Sequence, residues 1–355
     1  MNDFIELPYK IYKNDPRWVA PLKSEVCRTL DTKANPYFVN ASLQKFICYK
    51  DNDPVARIAI IINYEHWKKF NCKTAFFGFF ESINDFEASK RLFETVGQYC
   101  QSEGVEHLEG PFNPNHYSEL GILIKNFDTP KFFETYNPEY YPALLEKSGF
   151  KVSKLLHTRF NADTASFVRQ RYNLASPLKN TGHFKVRHIN LLNMKTELER
   201  VREVFNEAFS DNWYFLPLSK KEYSFAAKSL FFVTYPKLIA IVEHNNKPVG
   251  VLQCVLNINK ILEPLKGKLK LLDYLKFLKN RSSICEIIIY AIGIKKEYQS
   301  SIVIKLLISY LCNIVQEYPA VSTTWMSDDN VTAIRASKLF GLEPYKWFAI
   351  YEKTL

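Results

Sequence analysis

The chain has 355 residues and contains no Cys-x-x-Cys pair. Its seven cysteines, Cys27, Cys48, Cys72, Cys100, Cys254, Cys285 and Cys312, are scattered and odd in number. That spacing argues against a disulfide framework and against a structural zinc site. Most of these thiols are expected to be buried, in a reducing compartment. No metal is expected. No window holds 18 consecutive apolar residues, which excludes a membrane-spanning helix. Long Lys/Arg runs, zinc-finger signatures and RRM signatures are all missing. The opening residues, MNDFIELPYKIYKND, are acidic and aromatic from the start and do not read as a signal peptide. The expected location is cytoplasmic, or peripheral on the inner membrane.

What is present points to packed globular structure. Apolar residues make up 47% of the chain, enough for a sizeable core. The 27 Phe and 21 Tyr line that core, with a surplus available for an apolar pocket. A formal net charge of +10 favours an acidic partner. Nucleic acid, anionic lipid, the phosphates of CoA and an acidic acyl carrier protein all qualify, and charge alone does not choose among them. The length suggests two domains.

Strand runs occur at Lys45–Lys50 and Val55–Ile62, joined by the turn residues Asp51, Asn52, Asp53 and Pro54. Thr74–Glu81 is a third strand. Asp85–Glu103 has helical spacing (Phe86, Leu92, Phe93, Val96, Tyr99) and stops at Gly104. Residues 163–182 lack a clear period and are expected to link an N-terminal domain, 1–162, to a C-terminal one, 183–355. The second half repeats the order: strand Phe184–Ile189, helix Lys195–Phe209, hairpin strands Leu238–Val242 and Val249–Leu256, strand Cys285–Ile294, helix Ile302–Val315, strand Val321–Trp325, helix Asn330–Phe340, strand Trp347–Tyr351. Strands and helices mixed in this order predict an α+β fold, each domain a mixed sheet flanked by helices.

The most informative stretch is Glu109–Phe150, EGPFNPNHYSELGILIKNFDTPKFFETYNPEYYPALLEKSGF. With the opening Pro8-Tyr9…Tyr12…Asp15-Pro16…Trp18-Val19…Pro21-Leu22, then Asn35-Pro36-Tyr37-Phe38, Phe76-Phe77-Gly78-Phe79-Phe80-Glu81, Gly110-Pro111-Phe112-Asn113, Gly121, Asn137-Pro138…Tyr140-Tyr141 and Gly149-Phe150, it resembles tandem-repeat proteins of the GNAT (GCN5-related N-acyltransferase) superfamily. That broad group includes the bacterial ceramide synthases. The resemblance implies two tandem GNAT-like domains and transfer of an acyl group, long-chain if the ceramide-synthase likeness holds. The donor it implies is acyl-CoA or an acyl-carrier thioester, and the acceptor an amine such as a sphingoid-type lipid amine.

Two places depart from the GNAT pattern. The pyrophosphate motif needs Gln/Arg-x-x-Gly-x-Gly/Ala, whose glycines let backbone N–H groups approach phosphate at a helix start. Here the chain reads Tyr298-Gln299-Ser300-Ser301-Ile302-Val303-Ile304: Gln299 fits, and no glycine follows. The helix that ends in an acid Tyr in the family begins here with Asn330 and Ala333 but carries Ser337 at the Tyr place. The resemblance therefore assigns Gln299, Ser300, Ser301 and Asn330 to the thioester. It leaves open a catalytically degenerate protein that binds an acyl ligand or partner. Fem-like transfer from aminoacyl-tRNA is a third reading, and the only one in which a nucleic acid would be a partner.

Direct N-acyl transfer needs a base for the attacking ammonium and an acid, or water, for the leaving thiolate. Glu81, at the end of a buried strand, is a candidate base; the alternative is a strand-end carboxylate in a salt bridge. His116, in a loop with Asn113 and Asn115, is a second candidate base or a surface histidine. Tyr141 is a candidate acid, Tyr140 and Asn113 candidate substrate-orienting groups; packing is the alternative for both tyrosines. Lys260–Arg281 carries +5, with Leu271, Leu275 and Leu278 on one helical face. It reads as a basic amphipathic insert for an anionic membrane or an acyl carrier protein, or as an ordinary helix with a solvated basic face.

Overall fold

A computed structural model describes residues 2–172, 180–230, 234–270, 273, 279–299 and 302–355. The chain forms two compact units, neither a single stretch of sequence. The first comprises Met1–His157, Asn259–Phe277 and Lys346–Leu355; the second comprises Thr158–Ile258 and Leu278–Tyr345.

The strands are, in chain order, β1 Ala41–Lys50, β2 Asp53–Asn63, β3 Thr74–Ser82, β4 His107–Gly110, β5 Phe112–Asn113, β6 Glu119–Leu120, β7 Ile122–Lys125, β8 Lys151–Asn161, β9 Asn180–Thr181, β10 Phe184–His188, β11 Ile239–His244, β12 Lys247–Leu256, β13 Glu286–Ile294, β14 Ala320–Thr323, β15 Met326–Ser327 and β16 Glu343–Thr354. In the first unit they run β1-β2-β3-β4-β16. β1 and β2 form a hairpin over Asp51 and Asn52, both at positive φ, which their short polar side chains tolerate. The helix Phe86–Ser102 crosses from β3 to the parallel strand β4, its start capped by Asp85 accepting from the N–H groups of Glu87 and Ala88. β2 is buried on both faces. Ile58, Ile60 and Ile62 join Phe77, Phe93, Val96 and Leu145, while Ala59 meets Phe4, Ile5 and Leu30. The last strand, β16, pairs with β4 (Tyr351 opposite Gly110) and then with β7 (Phe348 opposite Leu123). Between those two pairings the chain leaves the sheet as the small hairpin β5-β6.

In the second unit the order is β8-β14-β13-β12-β11-β10-β9. β13 and β14 are parallel, joined through the helix Val303–Glu317. On one face of this sheet Val201 and Val204 of the helix Met194–Ala208 pack with Ile189, Ile241 and Val251. Gly250 lets Val303 approach β12: a Cβ there would lie 2.5 Å from its Cγ1.

The α+β architecture expected from the sequence is present, with mixed sheets and flanking helices. The first half of the expected linker is helical: Thr164–Arg171, capped by Asp163, buries Ala165 and Val168. Residues 173–179 lie outside the described residues. The basic insert opens with the helix Asn259–Leu262, within the first unit. There Asn259 Nδ2 donates to the Pro130 carbonyl (2.7 Å) and the Lys23 N–H to the Gly267 carbonyl (2.9 Å). The amphipathic face expected at Leu271, Leu275 and Leu278 lies outside the described residues.

Candidate active centre

The register of β2 against β3 slips by one residue. Arg57 faces Glu81 and Ala59 faces Gly78, so β3 carries an extra residue. The bulge contains Phe79 at φ +52°. Its N–H points out of the ladder and donates to Asn113 Oδ1 at 2.7 Å. A bulge bends its strand and re-aims the side chains beyond it. Here it brings Glu81 to two phenols. Glu81 Oε2 accepts from Tyr12 Oη at 2.7 Å and from Tyr141 Oη at 2.7 Å. Arg57 Nη2 stands 3.6 Å from Oε1. Tyr141 is held in place because its oxygen also accepts from the Ser82 N–H (2.9 Å), and Tyr140 Oη donates to the Ser82 carbonyl (2.8 Å). Tyr141 itself begins the helix Tyr141–Lys147, whose Pro142 suits the first turn.

Burial raises the Glu81 pKa above the ordinary carboxylate value, against the pull of Arg57 and the two phenols. Burial, and then the Glu81 charge, hold the Tyr12 and Tyr141 hydroxyls well above the usual phenol range. Desolvation lowers the Arg57 pKa while the charge of Glu81 resists it. The result is a buried carboxylate with two neutral phenol donors on one oxygen and Arg57 beside the other. Of the residues expected from the sequence, the fold brings together Glu81, Tyr141 and, through Ser82, Tyr140. It adds Tyr12 and Arg57, which the sequence reading missed. Arg57 did carry a signal, as the only charge in the apolar run Val55–Ile62. Tyr12 lay among the quoted opening residues but had nothing nearby to mark it as polar machinery.

His116 does not join this cluster. Its ring packs on Phe112 (centroids 4.2 Å apart) and edge-on to Phe76, which also meets His66. Burial, and next the neighbouring His66, push its pKa down to about 3. Asn113 spends its carbonyl oxygen on the Phe79 N–H, so that oxygen braces the bulge. Among the described residues no group of His, Cys, Asp and Glu could hold a metal ion, and no helix is long and apolar enough to cross a membrane.

No family model matches the chain. It is 27% identical to the protein YghO of Escherichia coli K12, over 99% of this chain and 92% of that one. It is likewise 27% identical to a bacterial ceramide synthase of Caulobacter vibrioides, over 99% of this chain and 94% of that one. Among solved structures it superposes on a tandem GNAT protein from the clavulanic acid biosynthesis pathway with a TM-score of 0.58 and 11% identity, covering 99% of this chain and 94% of that one. The chain has the tandem GNAT fold. The resemblance drawn from the sequence motifs is borne out.

In this chain of tandem GNAT fold, the stretch corresponding to the GNAT phosphate motif falls in the second unit. Gln299 closes a short 3-10 turn, Lys296–Tyr298, and its N–H donates to the Lys296 carbonyl (3.4 Å). Ser300 and Ser301 lie outside the described residues. The helix Val303–Glu317 starts without a side-chain cap. Asn330 caps the helix Val331–Lys338, accepting from the Ala333 N–H (3.1 Å). Ser337 Oγ, at the place of the family's acid Tyr, donates to the Ile334 carbonyl at 2.7 Å. That bond keeps its proton on the helix backbone.

Proposed function

We propose that this protein is an N-acyltransferase that moves an acyl group from a CoA or carrier-protein thioester to an amine by direct attack. The observation that carries the reading is the Glu81 carboxylate between Tyr12 and Tyr141, each at 2.7 Å. An amine is protonated at neutral pH and attacks only after losing a proton. A carboxylate whose pKa burial has raised is suited to take it. The nitrogen lone pair then forms the C–N bond, the nitrogen gives up its second proton, the C–S bond breaks, and the departing thiolate takes up a proton. Tyr141 or Tyr12 can relay that proton, since both remain protonated donors. Full-length similarity to a protein named as a bacterial ceramide synthase supports a long acyl chain and a long-chain amino-alcohol acceptor.

The test is mass spectrometry of the products formed from hexadecanoyl-CoA and a long-chain amino alcohol, with free thiol measured in parallel. The reading expects an N-acyl product and one free CoA per product. Absence of product and thiol with CoA and carrier donors alike would contradict it. The second reading, a catalytically degenerate acyl-binding protein, has one observation in its favour: Ser337, at the place where GNAT enzymes carry an acid Tyr, spends its hydroxyl proton on the Ile334 carbonyl. Thioester retention without turnover would select it.

A further inference from the structure

A cavity of about 790 Å³ opens in the second unit where β10 ends and the helix Met194–Ala208 begins. Arg187 and His188 of β10, Leu191 of the short turn that follows, Thr196 and Arg200 of the helix, and Pro236 line it. Thr196 and Arg200 are four residues apart and share a helix face. The charges here are unevenly spent. Arg187 donates to the two Glu197 oxygens (2.8 and 3.1 Å), twice to Glu243 Oε1 (3.1 Å from Nε, 2.7 Å from Nη2) and once to the His188 carbonyl (3.1 Å). Every N–H of that guanidinium is engaged. Arg200 donates from Nη1 to the same Glu243 oxygen and, among the described residues, has no other partner. The rest of its fork is unspent. The two guanidiniums offset the buried carboxylates Glu197 and Glu243. Lys185, opposite Glu243 in the sheet, and Lys195, in the first turn of the helix, leave the neighbourhood positive. Beside the cavity wall, Leu191 and Leu192 are 48% and 93% exposed. At the other end of β10, Phe184 meets Tyr298, the neighbour of Gln299 (centroids 6.1 Å apart). The cavity is therefore roughly 13 Å along the strand from the phosphate-motif stretch.

We infer that this cavity is an anion site, separate from the phosphate-motif stretch, that binds the phosphate head of an apolar-chain phosphate ester. Arg200 holds the phosphate oxygens through its unspent N–H groups, the planar fork that suits such oxygens. Arg187 fixes Glu197 and Glu243, so neither carboxylate is free to draw in a cation. Leu191 and Leu192 meet the first carbons of the chain, which covers apolar surface now open to water. The surplus of positive charge favours a phosphate monoester, at close to two negative charges, over a carboxylate. A soluble alkyl phosphate and the headgroup of an anionic lipid share this chemistry. The inference does not depend on the acyl-transfer reading.

The test has two arms on the full chain: calorimetric titration with hexyl phosphate, and sedimentation with phosphatidylcholine vesicles with and without phosphatidic acid. Arg200→Gln removes the fork while Arg187 still holds Glu243. Leu192→Asp alters a side chain 93% exposed, so the fold has little to lose, and sets a negative charge beside the cavity. Lys68→Gln, at an exposed position of the first unit, controls for loss of charge alone. The inference expects the wild type to bind hexyl phosphate or the phosphatidic acid vesicles. Arg200→Gln and Leu192→Asp should each bind about five-fold or more weakly, and Lys68→Gln as the wild type does. Binding of hexyl phosphate supports a soluble ligand, and binding of phosphatidic acid vesicles alone supports a lipid headgroup. No binding in either arm, wild-type affinity in both cavity variants, or an equal loss in Lys68→Gln would overturn the inference. The acyl-transfer reading is judged separately, by product and free thiol.

Discussion

At the scale of single residues, the centre of the account is Glu81, whose ionisation is set by opposing effects. Burial raises its pKa; Arg57, Tyr141 and Tyr12 lower it. Removing one phenol removes a bond to the charged form, so the carboxylate becomes harder to ionise. Tyr12→Phe is therefore expected to move the acid limb of kcat/KM to higher pH, read from a pH–rate profile; an unmoved limb would detach Tyr12 from the base. Glu119 gives a separate test of burial. Desolvation lifts it from 4.5 to about 7. A carboxylate raised in the folded state contributes stability at pH below its unfolded value and loses it as pH rises through the folded one. Glu119→Gln should thus stabilise the protein at pH 8 by about 3 kcal/mol, and much less at pH 4.5, in thermal melts at the two pH values. Glu81 and Tyr141 were legible in the sequence because one ends an apolar strand and the other opens a short helix after Asn137-Pro138. Tyr12 was not, because it lies 69 positions from the carboxylate it bonds.

At the scale of elements, the hydrophobic period exposed the main strands and helices. What it could not expose was the detour through β5-β6, since Pro111, Asn113, Pro114 and Asn115 have no period to read. That detour presses main chain against main chain at Gly78. Gly78→Ala would push a methyl group onto the Phe112 carbonyl, 1.9 Å away. Overpacking of this kind costs about 1–3 kcal/mol, and backbone on both sides leaves little to yield. The expected outcome is a loss at or above that range in chemical denaturation, with Glu81 displaced and turnover reduced. Wild-type stability in Gly78→Ala would show that the contact is slack. A β-bulge likewise leaves little trace in sequence, although the glycine in the Phe76–Phe80 run hinted at close approach.

At the scale of the whole molecule, repetition of one element order was legible, and the tandem fold with it. The destination of the last strand was not. Lys346–Leu355 belongs to the first unit, and Tyr351 pairs with Gly110 across the intervening sequence. Such pairing between distant segments writes no local pattern. Ending the chain after Tyr345 should therefore unfold the first unit, which loses Phe348, Ile350 and Tyr351 from its core and the edge partner of β4. Limited proteolysis should then cut within residues 2–157, and protection there would contradict the assignment. The central claim, that Glu81 accepts the proton of the attacking amine, is tested most directly by thiol release from hexadecanoyl-CoA in the presence of a long-chain amino alcohol. Wild type and Glu81→Gln would be compared above the Glu81 pKa, with both folds checked by circular dichroism. The account predicts a fall in kcat of about 100-fold or more for Glu81→Gln, the scale of a lost general base. Turnover equal to wild type in a folded Glu81→Gln protein would contradict it.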